Sequence, residues 1–274
     1  MSRQQREAVA ADTEAILVAR KYRSPSGRVI TVAEQLDRMV AATGLHLPEE
    51  TLPMYPETAV PCRIQVTGET TLQAAARLAG EARDEVAALN FASATRPGGG
   101  FRSGAHAQEE SLARASGLVA SLEAAAEFYT FHRAQRDARY SDRVIYSPGV
   151  PVFRDDTGAL LNTPYDVAFL TAAAPNAGAG DAALRAEAPA ILRQRADRVL
   201  AVAHAHRHVR LVLGAWGCGV FRNDPATVAA VFAAHLRPGA AYAHRFTDVV
   251  FAVLDDAPGA PTRAAFARTF GVTP

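Results

Sequence analysis

Short apolar runs alternate with helix-forming segments through most of this chain, and that alternation restricts the fold more than any other feature. Residues 64–66, 86–89, 144–146, 166–171, 209–213 and 249–254 read as strands. Between them, residues 70–83, 108–131, 182–204 and 225–236 have helical content, with Thr70 or Thr71 available as a cap for the first. Strands and helices in alternation form a layered α/β domain, whose ligands bind where loops leave the carboxyl ends of neighbouring strands. Ahead of this pattern, residues 6–20 suggest a helix, while 24–27 and 47–61 read as turns and extended chain. Residues 1–60 are therefore expected to be a helical accessory region, and residues 61–274 the main domain.

The composition narrows the range of functions. At 274 residues and 49% hydrophobic content the chain can bury a substantial core. A formal net charge of +1 gives no general attraction to polyanions, so affinity for a phosphate-rich ligand must come from a local site. Direct nucleic-acid binding is not expected. Cys62 and Cys218, the only cysteines, are too few for a disulfide framework and suit a reducing compartment. The first residues have no apolar signal core, and no apolar run approaches a membrane span, so a cytoplasmic protein without membrane association is expected.

Two glycine-rich loops sit where such a fold binds ligands. The first follows the 86–89 strand: Asn90-Phe-Ala-Ser-Ala-Thr-Arg-Pro-Gly-Gly-Gly-Phe-Arg-Ser-Gly-Ala-His-Ala-Gln-Glu-Glu110. Gly98, Gly99 and Gly100 let backbone approach a ligand closely, and seven residues later Gln108, Glu109 and Glu110 open a helix. Adjacent helical residues diverge by about 100°, so the two carboxylates are expected to do different jobs. One can bind while the other delivers a proton to a departing glycosidic oxygen and then activates water. A helix N-terminus favours ionised carboxylates, so a general acid placed there needs burial or a ligand phosphate to keep its proton. The second loop, Gly214-Ala-Trp-Gly-Cys-Gly-Val-Phe-Arg-Asn223, follows the 209–213 strand and precedes a helix expected to begin near Asn223 or Asp224. Its amides can cradle phosphate, although it lacks the Gly-Lys-Ser/Thr ending of a Walker loop. Residue chemistry alone supports a phosphate-bearing ligand and acid-assisted hydrolysis; taken separately, an ordinary helix N-terminus is the plainer account of the carboxylates, and a turn containing core aromatics accounts for the second loop equally well.

Both segments, in this order, resemble those of bacterial poly(ADP-ribose) glycohydrolases, over roughly residues 66–255. The resemblance implies a three-layer α/β/α macrodomain with a mixed sheet and an N-terminal helical extension. It implies hydrolysis of the ribose–ribose O-glycosidic bond of poly(ADP-ribose), or of ADP-ribosylated protein, with ADP-ribose as product and neither cofactor nor metal. By the same resemblance Glu110 is the general acid and base. Glu109 and the glycines Gly98, Gly99 and Gly100 hold the distal ribose, which Asn90 can also contact, and Gln108 helps orient the site. Gly217, Cys218, Gly219, Val220 and Asn223 belong to the diphosphate loop, and Phe221 stacks on adenine. Accessory segments covering the terminal ribose imply attack from chain ends. A non-catalytic ADP-ribose reader and a hydrolase of mono-ADP-ribosylated targets are the rival readings; an intact Gln-Glu-Glu disfavours the first.

Some polar residues are left without a role. His204, His206 and His208 are spaced by two, which suits no helical face, and read as solvated residues at a helix end. Cys218 has no activating base in view and reads as a small buried thiol. His106 reads as a polar loop residue, and Pro175 and Asn176 as part of an ordinary turn.

Overall fold

The computed structural model describes residues 1–58, 61–81 and 85–273. The chain begins with α1 (Arg3–Ala19), capped reciprocally by Ser2 and Gln5. A small hairpin, β1 (Lys21–Arg23) and β2 (Val29–Thr31), leads to α2 (Ala33–Ala42) and β3 (Gly44–His46). Then come β4 (Arg63–Thr67), α3 (Thr71–Glu81) and β5 (Val86–Phe91), and, after a 3-10 turn at Phe101–Ser103, α4 (Gln108–Ala115), α5 (Leu118–Ala124) and α6 (Ala126–Gln135). The long strands β6 (Val144–Arg154) and β7 (Leu160–Ala172) precede α7 (Ala182–Ala205), β8 (Arg210–Leu213), α8 (Pro225–Leu236), β9 (Asp248–Ala252) and α9 (Pro261–Phe270).

Seven strands form one mixed sheet in the order β3-β6-β7-β5-β8-β9-β4, parallel from β7 to β4 and antiparallel at β6 and β3. The central strands are buried on both faces, which is why they read as continuous apolar runs rather than alternating ones. Their side chains still alternate between two cores. Ala87 and Leu89 of β5 join α7, α8 and α9 on one face, whereas Val86 and Ala88 join residues of α2, α3, α5 and α6 on the other. The result is the three-layer α/β/α architecture with a mixed sheet that the resemblance implied.

Four elements depart from the sequence reading. The helix expected over 108–131 is broken, because Ser116 is extended (φ −147°, ψ 177°) and bridges to Val152, and the Gly117 amide donates to the Pro151 carbonyl at 2.9 Å. A Cβ on Gly117 would come within 2.8 Å of Leu36, so glycine lets α2 approach here. β6 and β7 run well past the expected runs at 144–146 and 166–171 despite Pro148, Pro151 and Pro164, since register shifts absorb the irregularity. The first sixty residues are not purely helical: β3 supplies an edge strand of the main sheet. α3 ends its described course at Glu81, so the expected continuation to Arg83 lies outside the described residues, as do positions 59 and 60 of the extended stretch.

The three histidines are also not solvated. His204 and His208 are buried, His204 accepts the Tyr55 amide at 2.9 Å, and His208 pairs with the Tyr146 hydroxyl at 2.8 Å. His206 stacks on Tyr146 with ring centroids 3.6 Å apart. His204 lies in the last turn of α7, and His206 and His208 follow in the turn that carries the chain into β8.

Candidate active site

The site is assembled at the carboxyl end of β5. Gln108 fixes the start of α4 there: its Nε2 donates to the Leu89 carbonyl at 2.7 Å and to Thr71 Oγ1 at 3.1 Å, and its Oε1 accepts the Phe91 amide at 2.9 Å. One side chain thus ties α4 to both β5 and α3. With α4 so placed, Glu109 and Glu110 turn different ways, as consecutive helical positions must. Glu109 points to the sheet and is 3% exposed, with its Oε2 accepting the Ser93 amide at 2.6 Å and its Oε1 facing Asn90 Nδ2 at 3.4 Å. Glu110 is half-buried and turns to the glycine run, where its Oε1 accepts the Gly100 amide at 2.9 Å.

The glycine run is shaped to these carboxylates. Gly98 and Gly99 have φ of +69° and +61°, the left-handed region where a side chain is strained. A Cβ at Gly99 would stand 2.3 Å from Glu110 Oε1 and 3.1 Å from Glu109 Oε2. Burial pushes the Glu109 carboxyl up to about 8; the Ser93 amide opposes that rise, and the charge of Glu110 adds to it. Burial therefore favours the protonated form of Glu109.

A cavity of about 710 Å³ opens over the pair, walled by the loop after β8, the start of α3, the loop after β9 and the β6–β7 turn. Gln108, Glu109, Glu110, Gly217, Cys218, Gly219, Val220 and Phe221 all line it. Asn90, Gly98 and Asn223 are buried beside this cavity, and Gly99 and Gly100 are half-buried. Asn90 is fully buried, with Nδ2 bonded to Thr171 Oγ1 at 3.2 Å, and its Oδ1 lacks a hydrogen-bond partner among the described residues. Asn223 closes the second loop on itself, Nδ2 donating to the Pro175 carbonyl at 2.9 Å and the Gly217 carbonyl at 3.1 Å. A Cβ at Gly217 (φ +72°) would meet Asn223 Nδ2 and Ala174 at 2.6 Å, so the loop cannot tighten around a larger residue.

The rest of the second loop divides by environment. Trp216 is wholly buried, its Nε1 donating to the Ala172 carbonyl at 3.0 Å, and is a core residue that also backs the cavity. Val220 is 80% exposed at the loop tip, and Phe221 is half-buried beside the Tyr140 ring. Burial, then Asp224, pushes the Cys218 thiol up to about 12, which disqualifies it as a nucleophile near neutral pH. Asp224 caps α8 through the Thr227 amide at 2.8 Å, so the positive end of that helix follows directly on the loop.

Sequence reasoning missed the opposite wall. Thr70, whose capping role was legible, exchanges bonds with Gln73 and also donates its hydroxyl to Asp156 at 2.7 Å. Glu69, Asp156, Leu254, Asp255 and Thr262 complete that wall. Nothing local marks them, because the β6–β7 turn meets the α3 start only through the fold. Among the described residues no group of three or more His, Cys, Asp or Glu side chains is arranged to hold a metal ion, and no helix is long and apolar enough to cross a membrane.

The microbial-type PARG catalytic-domain family matches residues 10–155. The poly(ADP-ribose) glycohydrolase of Thermomonospora curvata is 58% identical over 97% of this chain and 100% of its own, with a TM-score of 0.94. The same enzyme bound to the inhibitor ADP-HPD is 57% identical over 97% of this chain and 99% of its own, at 0.91. The poly(ADP-ribose) glycohydrolase of Deinococcus radiodurans in complex with ADP-ribose is 45% identical over 86% of this chain and 96% of its own, at 0.78. No curated protein matches.

Proposed function

Since this chain belongs to the microbial poly(ADP-ribose) glycohydrolase family and is a glycosidase of poly(ADP-ribose), we propose the following division of labour within its site. Glu110 is the general acid and base. As the ribose–ribose C–O bond breaks, its carboxyl proton passes to the departing oxygen; the resulting carboxylate then takes a proton from the water that attacks the anomeric carbon, restoring the acid. The observation that carries this assignment is the position of Glu110, lining the cavity with Oε1 held by the Gly100 amide. That bond leaves Oε2 for the reacting oxygen. Glu109, braced by Ser93 and Asn90, holds the distal ribose hydroxyls, and Asn90 acts on the ribose through Glu109.

At the other end, the amides of Gly217, Cys218 and Gly219 receive the diphosphate and Phe221 stacks on adenine. The Thr70–Asp156 hydrogen bond joins α3 to the β6–β7 turn as a continuous wall, which a chain threaded through the site would have to cross. That supports exo-hydrolysis from a chain end with release of ADP-ribose. Residues 1–60 serve as an accessory region: Arg3 and Arg6 of α1 donate to the carbonyls of Ser103 at 3.1 Å and Gly104 at 2.8 Å, bracing the loop that carries the glycine run. The ligand is a polymer of ADP-ribose, free or on protein, and neither a membrane nor nucleic acid is a partner; a cytoplasmic location fits this substrate.

The test is ADP-ribose release from purified poly(ADP-ribose) by wild type and Glu110→Gln, with ADP-ribose binding measured by calorimetry on both. Loss of release with binding retained supports the assignment. Turnover in Glu110→Gln within tenfold of wild type refutes it.

A further inference from the structure

One cavity residue has no part in the site as described. His106 lines the cavity and is also solvent-exposed, so it stands at the mouth, three and four residues before the paired carboxylates. Its surroundings set its chemistry. Arg114, one helical turn beyond Glu110, approaches His106 Nδ1 at 3.4 Å through Nη2, and an arginine only donates, so Nδ1 is the acceptor. The neutral imidazole then carries its proton on Nε2, which has no partner among the described residues.

Arg114 is well suited to this task. It is 2% exposed, its Nη1 donates to the Ala105 carbonyl at 2.7 Å, and the charge of Glu110 acts on it without a direct ion pair among the described residues. Arg6 is similar: its Nε donates to the Gly104 carbonyl at 2.8 Å. Partial desolvation at the cavity wall, then the charges of Arg114 and Arg6, push the imidazole below its ordinary value against the opposing charge of Glu110, which favours the neutral donor. The two cations give this side of the mouth a positive field.

The direction of this corner follows from α4. Gln108 and Glu109 face the sheet and the ADP-ribose side of the cavity, whereas Ser111 and Arg114 turn to α1, with Thr13 Oγ1 donating to the Arg114 carbonyl at 2.6 Å. With Glu109 holding the distal ribose in the reading above, the leaving group falls beyond Glu110, on the α1 side. Resting on the catalytic reading above, we propose that His106 recognises the departing part of the polymer, its Nε2–H donating to a ribose or diphosphate oxygen of the penultimate ADP-ribose unit. His106 is thus a specificity-determining contact for polymer over a single ADP-ribose, held in its tautomer by Arg114.

The test compares two ligands on the Glu110→Gln protein: ADP-ribose, and an isolated dimer of ADP-ribose. His106→Ala in that background is expected to weaken dimer binding about three- to tenfold, the range of one neutral hydrogen bond, and to leave ADP-ribose binding within about twofold. His106→Gln, which restores an N–H at similar reach, is expected to recover most of the loss. Equal losses for both ligands, or none for the dimer, would overturn the proposal. Failure of the Glu110→Gln parent to bind ADP-ribose would refute the underlying site assignment instead, and is separately visible because the parent is measured first.

Discussion

Replacing Glu109 with glutamine is expected to stabilise the protein while disabling its site. Burial raises this carboxyl from 4.5 to about 8, so the folded state holds a proton that the unfolded chain gives up. The sign follows directly. Below pH ~4.5 both states are protonated and the raised pKa costs nothing; as the pH climbs from there to about 8, the unfolded chain binds fewer protons and folding stability falls. Every tenfold difference in proton affinity between the two states is worth about 1.4 kcal/mol, so wild type loses about 3 kcal/mol by pH 7 and about 5 kcal/mol above pH 9. Glutamine is isosteric with the protonated acid, keeps an acceptor for the Ser93 amide, and has nothing to ionise. Guanidinium unfolding of both proteins at pH 5, 7 and 9 measures the difference, and the other titrating groups cancel in it. The two proteins should agree within about 1 kcal/mol at pH 5 and separate progressively above it, with Glu109→Gln the more stable. A pH-independent difference, or a variant less stable than wild type at pH 9, would refute the argument that burial rather than hydrogen bonding governs this carboxyl.

Other substitutions probe the two loops. Gly99→Ala places a Cβ at φ +61° and 2.3 Å from Glu110 Oε1, so the carboxylate must move; kcat on polymer should fall by about a hundredfold or more, in keeping with a misplaced catalytic group, while circular dichroism stays native. If turnover is unchanged, the glycine run does not position Glu110. Phe221→Ala should weaken ADP-ribose binding by about 1–3 kcal/mol in calorimetry, the usual worth of a stacked base. Unchanged affinity would remove Phe221 from the adenine site and leave it as packing against Tyr140.

How far the sequence could be read depends on whether a feature has a local cause. Val86, Ala87, Ala88 and Leu89 announce a strand buried on both faces because every one of them is apolar, and the structure splits them between two cores. The break at Ser116 and Gly117 was present in the sequence as a Ser-Gly pair, yet its cause is distant: the Pro151 carbonyl and the Leu36 side chain meet it only once β6 and α2 have packed there. The same holds for Asp156, an ordinary turn residue until Thr70 meets it in the cavity wall. β3, three residues long, carries too little pattern to be distinguished from the turns around it. The motif residues were legible for the opposite reason. Consecutive glycines and adjacent carboxylates carry their geometric demands with them, so what remained hidden was the partner each carboxylate takes, the Ser93 amide for Glu109 and the Gly100 amide for Glu110.

The two carboxylates that open α4 answer to different surroundings. A single carboxylate at the start of α4 would have to be both ionised, to suit the helix, and protonated, to serve catalysis. A rotation of about 100° sends Glu109 into the sheet and Glu110 to the glycine loop, so burial acts on Glu109 and the demand on the general acid stays with Glu110. Burial then keeps a proton on Glu109. Glu110 keeps its contact with the cavity and the Gly100 amide. On this argument distal ribose hydroxyls that hydrogen-bond to Glu109 favour its ionised form, so ADP-ribose binding at pH 7 should release part of a proton. Calorimetric binding enthalpies measured in buffers of different ionisation enthalpy would show it, and buffer-independent enthalpies that persist in wild type would mean that Glu109 keeps its proton and serves as a donor to the ribose.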